Sequence, residues 1–217
     1  MLEPFLKEGK VEVGLDEAGR GCLMGPVCVA GVILDPKCTE SPKYPLKDSK
    51  QCSPKIRESL CEYIERNALS YSVQFVKEGE IDSFNILQAT MKGMHRCLDE
   101  ISEKTMFDTI LVDGTYFPYY TDKNFEVVDH VCVKGGDNTY QSIAAASILA
   151  KVYRDRYIVK LVSEDSSLEA YDIANNKGYG TKKHMEALRE RGPTQYHRLS
   201  FKPCQKNYLT NANESRF

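Results

Sequence analysis

The stretch Val11–Leu34 reads VEVGLDEAGRGCLMGPVCVAGVIL, with Asp16-Glu17-Ala18-Gly19-Arg20-Gly21 at its centre. Val11, Val13 and Leu15 alternate with Glu12 and Gly14, the two-residue period of a strand. Val27 to Leu34 is almost wholly apolar and rich in valine, which predicts a second strand buried on both faces. Gly19, Gly21 and Gly25 lie between them, so the two strands read as a hairpin. Two adjacent carboxylates therefore stand at a strand end, immediately before a Gly-Arg-Gly loop. Carboxylates gather cations, whereas Gly-Arg-Gly suits an anion or a sugar-phosphate.

The glycines invite comparison with the GxGxxG dinucleotide loop. That reading fails because the third glycine position is Met24 and the following segment reads as a strand, not a helix.

Outward from this stretch, strands and helices mix. Ser53-Pro54 predicts a capped helix start, and Ile56, Leu60 and Ile64 line one face of a helix to about Asn67. Leu69, Tyr71, Val73 and Phe75 alternate as a third strand. Asn85 is placed to cap a long helix with Ile86, Leu87, Met91, Met94 and Leu98 inward. Thr109–Val112 predicts a short strand, and Phe125–Val133 another. The alanine-rich run from Gln141 to about Ser163 predicts a helix that serves core packing. Thr181–Arg191 predicts a last helix, stopped by Gly192-Pro193. The polar tail from Asn207 reads as frayed. The order predicts an α/β fold with a mixed central β-sheet flanked by helices and a helical C-terminal part. The expected division is residues 1–165 as the main domain and 166–217 as a basic, mainly helical segment.

At 217 residues the chain can bury one sizeable core. No apolar run is long enough to span a membrane, and the N-terminus lacks the pattern of a signal peptide. Eight scattered cysteines form no CxxC pair, so they read as reduced buried thiols. These features predict an intracellular, cytoplasmic protein. The net charge of −2 is unevenly spread. Lys177 to Lys206 holds eight basic and two acidic side chains, a local +6 that leaves about −8 elsewhere. A basic end on an acidic body can hold a polyanion.

Acidic residues recur where apolar strands stop: Asp16 and Glu17, then Asp113 after the TILV run, then Asp137 shortly after Val133. Strand ends are the usual place for a site in an α/β sheet. Clustered carboxylates repel, and Mg²⁺ or Mn²⁺ takes such hard oxygen ligands. Two such ions can activate a water and stabilise the leaving oxygen of a phosphodiester. Arg20 could complement a phosphate or make a structural ion pair. Tyr179, between two glycines, could stack on a sugar or pack under a loop. His184 and His197 read as structural or phosphate-facing rather than as metal ligands.

These residues carry a family resemblance from about Val11 to Pro203. DEAGRG, LKDSKQCS (Leu46–Ser53), FNILQATMKGM, LVDG (Leu111–Gly114), KGGD (Lys134–Asp137), SIAAASILAKVYRD (Ser142–Asp155), NKGYGT and HRLSF follow in one order. The chain resembles ribonuclease HII, the type 2 ribonuclease H family. The resemblance implies a ribonuclease H-like fold and metal-binding catalytic acids at Asp16, Glu17, Asp113 and Asp137. It implies that the Gly19-Arg20-Gly21 backbone contacts a ribose 2′-hydroxyl, that Tyr179 stacks on the following deoxyribose, and that Lys50 lies near substrate phosphate. The implied cofactors are two divalent ions, Mg²⁺ or Mn²⁺. The implied partners are RNA-DNA hybrids and duplex DNA containing ribonucleotides. A monomer is expected, without membrane association, and no terminal segment resembles a sliding-clamp motif. The chain departs from the family pattern in the second glycine of KGGD and in Asn175-Asn176, where a histidine often stands. The rival readings are a non-catalytic hybrid-binding protein and a phosphatase acting on small phosphates.

Overall fold

The computed structural model describes residues 2–205; the tail from Asn207 lies outside them. The strands are β1 (Glu12–Ala18), β2 (Val27–Leu34), β3 (Ala68–Val76), β4 (Thr109–Asp113), β5 (Tyr120–Thr121) and β6 (Val127–Val133). They form one sheet in the order β3-β2-β1-β4-β6-β5. The β1–β2 pair is antiparallel, with Asp16 opposite Ala30, as the hairpin reading expects. β1, β4 and β6 run parallel to one another, whereas β5 pairs antiparallel with β6. The sheet is therefore mixed.

The helices are α1 (Pro54–Asn67), α2 (Glu78–Phe84), α3 (Ile86–Ser102), α4 (Gln141–Glu164), α5 (Ile173–Asn176) and α6 (Lys182–Arg191). Their starts follow from local chemistry. The Ser53 hydroxyl accepts from the Ile56 amide with Pro54 at the first helical position. Asn85 Oδ1 accepts from the amides of Leu87 and Gln88. Thr181 caps α6 by accepting from the His184 amide. α2, α5 and β5 are too short to leave a periodic signal. Phe125 is not in a strand: its φ is 63°, its amide donates back to Asp122, and β6 starts at Val127.

The chain divides into two compact units. The first comprises Met1–Ala18, Cys28–Phe75 and Met91–Tyr153. In its core Ala30 and Val32 of β2 pack with Leu60, Cys61 and Ile64 of α1 and with Ala145, Ala146, Ile148 and Leu149 of α4. The small side chains of α4 let it sit close to the sheet. A Cβ at Gly14 would lie 2.3 Å from the Ser142 carbonyl carbon, so only glycine permits this approach of α4 to β1. The second unit comprises Gly19–Val27, Val76–Thr90 and the chain from Arg154 onward. Its core gathers Leu23, Met24, Ile158, Leu161, Leu168, Tyr171, Ile173 and Leu188. All eight cysteines are free thiols, and six of them are buried. Among the described residues no helix is long and apolar enough to cross a membrane.

Candidate active site

Three neighbouring parallel strands carry the acids of the first unit. Asp16 lies on β1, Asp113 ends β4, and Asp137 sits in the 3₁₀ turn Gly136–Asn138 that follows β6. Parallel strands end on the same edge of a sheet, so their terminal side chains converge. One carboxylate oxygen from each of Asp16, Asp113 and Asp137 lies within 4.8 Å of the others. Glu17 is not one of these three, although its charge acts on the Asp16 carboxyl. The second glycine of KGGD has a use. Gly135 takes a left-handed conformation, φ 69°, and the Gly136 amide donates to Asp113 Oδ1 at 2.8 Å. The turn that delivers Asp137 also holds Asp113.

Asp16 and Asp137 are both buried. Burial pushes the Asp16 carboxyl well above its ordinary range, and the charges of Glu17 and Asp113 push it further. Hydrogen bonds from the Ser147 hydroxyl and the Glu17 amide oppose this and are outweighed. Asp137 is likewise raised, by burial first and then by Asp113 and Asp48, against the pull of Lys50. Three converging oxygen donors, with no sulfur or nitrogen among them and with too little positive charge nearby, suit a hard divalent cation.

The Asp48-Ser49-Lys50 segment completes this region. Lys50 Nζ stands 3.6 Å from Asp137 and 3.9 Å from Asp48, and its side chain is 78% exposed. Burial alone would lower the Lys50 pKa, but Asp48, Asp137, Asp16 and Asp113 together raise it. Asp48 Oδ1 accepts from the Lys50 amide, which shapes the turn. Ser49 and Ser147 hydroxyls are 3.0 Å apart in the interior. The alanine-rich helix is thus more than packing, because Ser147 reaches from it to Asp16. Sequence reasoning passed over Asp48, Ser49 and Ser147. Their signal was only that they stand inside the DSK and SIAAAS motifs.

The second unit holds Gly19, Arg20, Gly21 and Tyr179. Gly19 has φ +84°, and a Cβ there would lie 1.9 Å from Arg154 Nε. Gly21 is different: its φ is not positive and a Cβ would meet nothing within 4 Å. Two fully buried arginines build the loop. Arg198 donates to the carbonyls of Gly25, Arg20 and Gly19 at 2.9, 2.9 and 2.8 Å. Arg154 donates to those of Pro26, Lys177 and Met24 at 2.9, 2.8 and 3.1 Å. The buried carboxylate Glu78 adds opposite charge to both. Arg198 therefore does not belong to a basic surface, where a count of charges puts it; its guanidinium is spent on main-chain carbonyls. Arg154 Nη1 also reaches the segment before Tyr179, and the Leu23 amide donates to the Gly178 carbonyl at 2.8 Å.

Asn176 shapes the Tyr179 turn. Its side chain donates to the Tyr171 carbonyl and accepts from the Gly178 amide. Tyr179 remains 45% exposed. Burial of the rest of the side chain raises its phenol pKa, and Cys22 adds to this. His184 and His197 are buried against each other, so neither faces a phosphate.

A family model described as Ribonuclease HII matches residues 13–204. The chain is 49% identical over 201 residues to the ribonuclease HII of Bacteroides fragilis, covering 93% of this chain and 94% of that one. Among solved structures it is similar to the ribonuclease H2 of Pyrococcus horikoshii OT3, with a TM-score of 0.74 and 26% identity over 92% of this chain and 97% of that one. It is also similar to the ribonuclease HII of Archaeoglobus fulgidus, solved in a complex with PCNA, with a TM-score of 0.64 and 28% identity over 90% and 97%. With its carboxylates at the ends of parallel strands, the chain belongs to the ribonuclease HII family and is a metal-dependent nuclease with a ribonuclease H-like fold.

Proposed function

We propose that this enzyme hydrolyses the RNA strand of RNA-DNA hybrids and cuts at single ribonucleotides embedded in duplex DNA, leaving 3′-hydroxyl and 5′-phosphate ends. The observation that carries this reading is the convergence of Asp16, Asp113 and Asp137 within 4.8 Å. Asp16, Glu17, Asp113 and Asp137 are the catalytic acids and would hold two divalent ions. When bound, Mg²⁺ or Mn²⁺ supplies an activated water and neutralises charge at the scissile phosphate. The protein contributes geometry. Ser147 and the Gly136 amide fix the orientation of Asp16 and Asp113, so the acids need little rearrangement when substrate enters. Lys50, exposed beside Asp137, is positioned to attract a substrate phosphate.

The Gly19-Arg20-Gly21 loop reads the ribose. Arg198 binds the carbonyls of Gly19 and Arg20 and holds the loop in one shape. The open space at Gly21 supports close approach of a ligand, because nothing inside the protein requires glycine there. Tyr179 offers a half-exposed ring to the deoxyribose on the other side of the junction.

The test is cleavage of three duplexes in Mg²⁺ and in Mn²⁺: all-DNA, one embedded ribonucleotide, and continuous RNA over DNA. The second and third should be cut, with products mapped at nucleotide resolution, and the first left intact. Cleavage of the all-DNA duplex, or no cleavage at a single ribonucleotide, overturns the reading.

A further inference from the structure

His184 and His197 are 0% and 1% exposed, and their Nε2 atoms lie 3.0 Å apart. The surrounding bonds fix where every hydrogen sits. The Thr194 amide donates to His197 Nδ1 at 2.9 Å, so that nitrogen is bare and the neutral ring carries its hydrogen on Nε2. His184 Nδ1 is 2.9 Å from the Tyr179 carbonyl, which can only accept, so His184 carries its hydrogen on Nδ1 and is bare on Nε2. The contact between the rings is then satisfied in one direction, from His197 Nε2–H to His184 Nε2. Changing one tautomer puts two hydrogens or two lone pairs face to face between the rings, and changing both sets a lone pair against the Tyr179 carbonyl and a hydrogen against the Thr194 amide. A directed chain results: Thr194 amide, His197, His184, Tyr179 carbonyl. The Thr194 hydroxyl lies beside the first link, also 2.9 Å from His197 Nδ1.

The surroundings keep both rings neutral. Tyr171 packs against them with ring centroids 6.0 and 5.1 Å away, and its hydroxyl is turned to the Gly192 carbonyl. Burial lowers the pKa of His184, and burial followed by the neighbouring His184 lowers that of His197 to about 4.

The chain of bonds ends on the main chain of the residue whose ring is half exposed. The Tyr179 carbonyl accepts from the Thr181 amide at 2.8 Å and from His184 Nδ1–H, and the Tyr179 amide donates to the Asn176 carbonyl at 3.0 Å, so His184 adds a side-chain hold to a backbone turn and both polar groups of the Tyr179 backbone are fixed. We propose that His184 and His197 are positioning residues that set specificity by aiming the Tyr179 ring at the sugar of the RNA-DNA junction. This rests on the reading of Tyr179 as a substrate contact. Neither histidine touches substrate; each acts through Tyr179.

The experiment compares single-turnover cleavage of the one-ribonucleotide duplex with that of the continuous hybrid in Mg²⁺, using the full chain. Tyr179→Ala should lower the first rate more than the second. His184→Gln, which cannot reach the carbonyl from the Nδ1 position, should shift the same ratio by about fivefold, the worth of one hydrogen bond. His184→Asn, whose amide nitrogen stands where Nδ1 did, should recover most of it. In the double variant with Tyr179→Ala, His184→Gln should add nothing to the ratio. If Tyr179→Ala shifts the ratio but His184→Gln leaves it unchanged, or adds to it independently, the positioning role is wrong and the Tyr179 reading survives. If Tyr179→Ala itself leaves the ratio unchanged, the Tyr179 reading falls. Imidazole ¹⁵N spectra of the unmutated protein provide a test that needs no variant to fold. They should show the Nδ1–H form of His184 and the Nε2–H form of His197 at neutral pH, and the opposite tautomers would overturn the proposal.

Discussion

The two units treat buried charge in opposite ways. In the first, Asp16 and Asp137 are buried beside other carboxylates, and the basic group near them, Lys50, points largely into solvent. In the second, Arg154 and Arg198 are buried just as deeply, yet six main-chain carbonyls take up their hydrogens. An unbalanced cluster is incomplete until a cation arrives. A saturated one is complete already and can serve as a rigid mount. The contrast separates residues that take a ligand from residues that hold a shape, and it can be tested on each side.

The largest effect belongs to the unbalanced side. Asp113→Asn should cut cleavage by on the order of a thousandfold or more while the protein stays folded, because the amide keeps the shape and loses a charge the metal requires. Turnover near that of the unmodified enzyme at saturating Mg²⁺ would break the assignment. On the saturated side the order of effects reverses. Arg198→Lys should cost about 3 kcal/mol or more in urea unfolding, since an ammonium cannot reach three carbonyls that a guanidinium fork holds. An unchanged unfolding midpoint would show that the loop holds itself.

Acid sharpens the comparison, because the two regions respond with opposite sign. The folded Asp16 and Asp137 have pKa values raised above the ordinary 3.8, so the folded protein holds their protons more tightly than the unfolded chain does. Their contribution to stability is present at low pH and is lost as pH rises through the raised values. His197 has a folded pKa of about 4, below the ordinary 6.5, so its contribution is present above 6.5 and is lost as pH falls toward 4. Millimolar Mg²⁺ should therefore raise the melting temperature by about 5 °C at pH 8 and by much less at pH 5. A Mg²⁺ effect independent of pH would argue against an unbalanced carboxylate cluster.

The smallest expected change in stability is at Gly21. Gly21→Ala should leave melting unchanged, because the added Cβ meets open space, yet it should slow cleavage at a single ribonucleotide. Gly19→Ala should instead destabilise, since its Cβ would strike the Arg154 side chain and its φ is +84°. If Gly21→Ala affects neither melting nor cleavage, the loop is a turn and nothing more.

Much of this was legible in the sequence, for physical reasons that differ by element. Caps at Ser53, Asn85 and Thr181 are local, so the residue types alone place the helix starts. The strand-end positions of Asp113 and Asp137 follow from apolar runs that stop. The meeting of the acids was legible from their strand-end positions and the family resemblance, but the strand order β1-β4-β6 that produces it was not, because no short-range pattern encodes it. The arginines misled for the same reason. A charge count treats Arg198 as solvated, and its burial depends on carbonyls more than 170 residues earlier in the chain. Ser147 was hidden by its neighbours, since a serine in an alanine run reads as one more small packing residue.

The parallel arrangement of β1, β4 and β6 also has a kinetic meaning. Parallel neighbours cannot be joined by a tight turn, so Asp16 meets Asp113 only after a long loop of chain has closed. The pairing of β1 with β4 is a long-range contact, the kind that slows folding. Before that pairing no three-carboxylate cage exists for a cation to find. A divalent ion added during refolding would leave the early rate untouched, and its influence would fall on the reverse process by lengthening the lifetime of the finished protein.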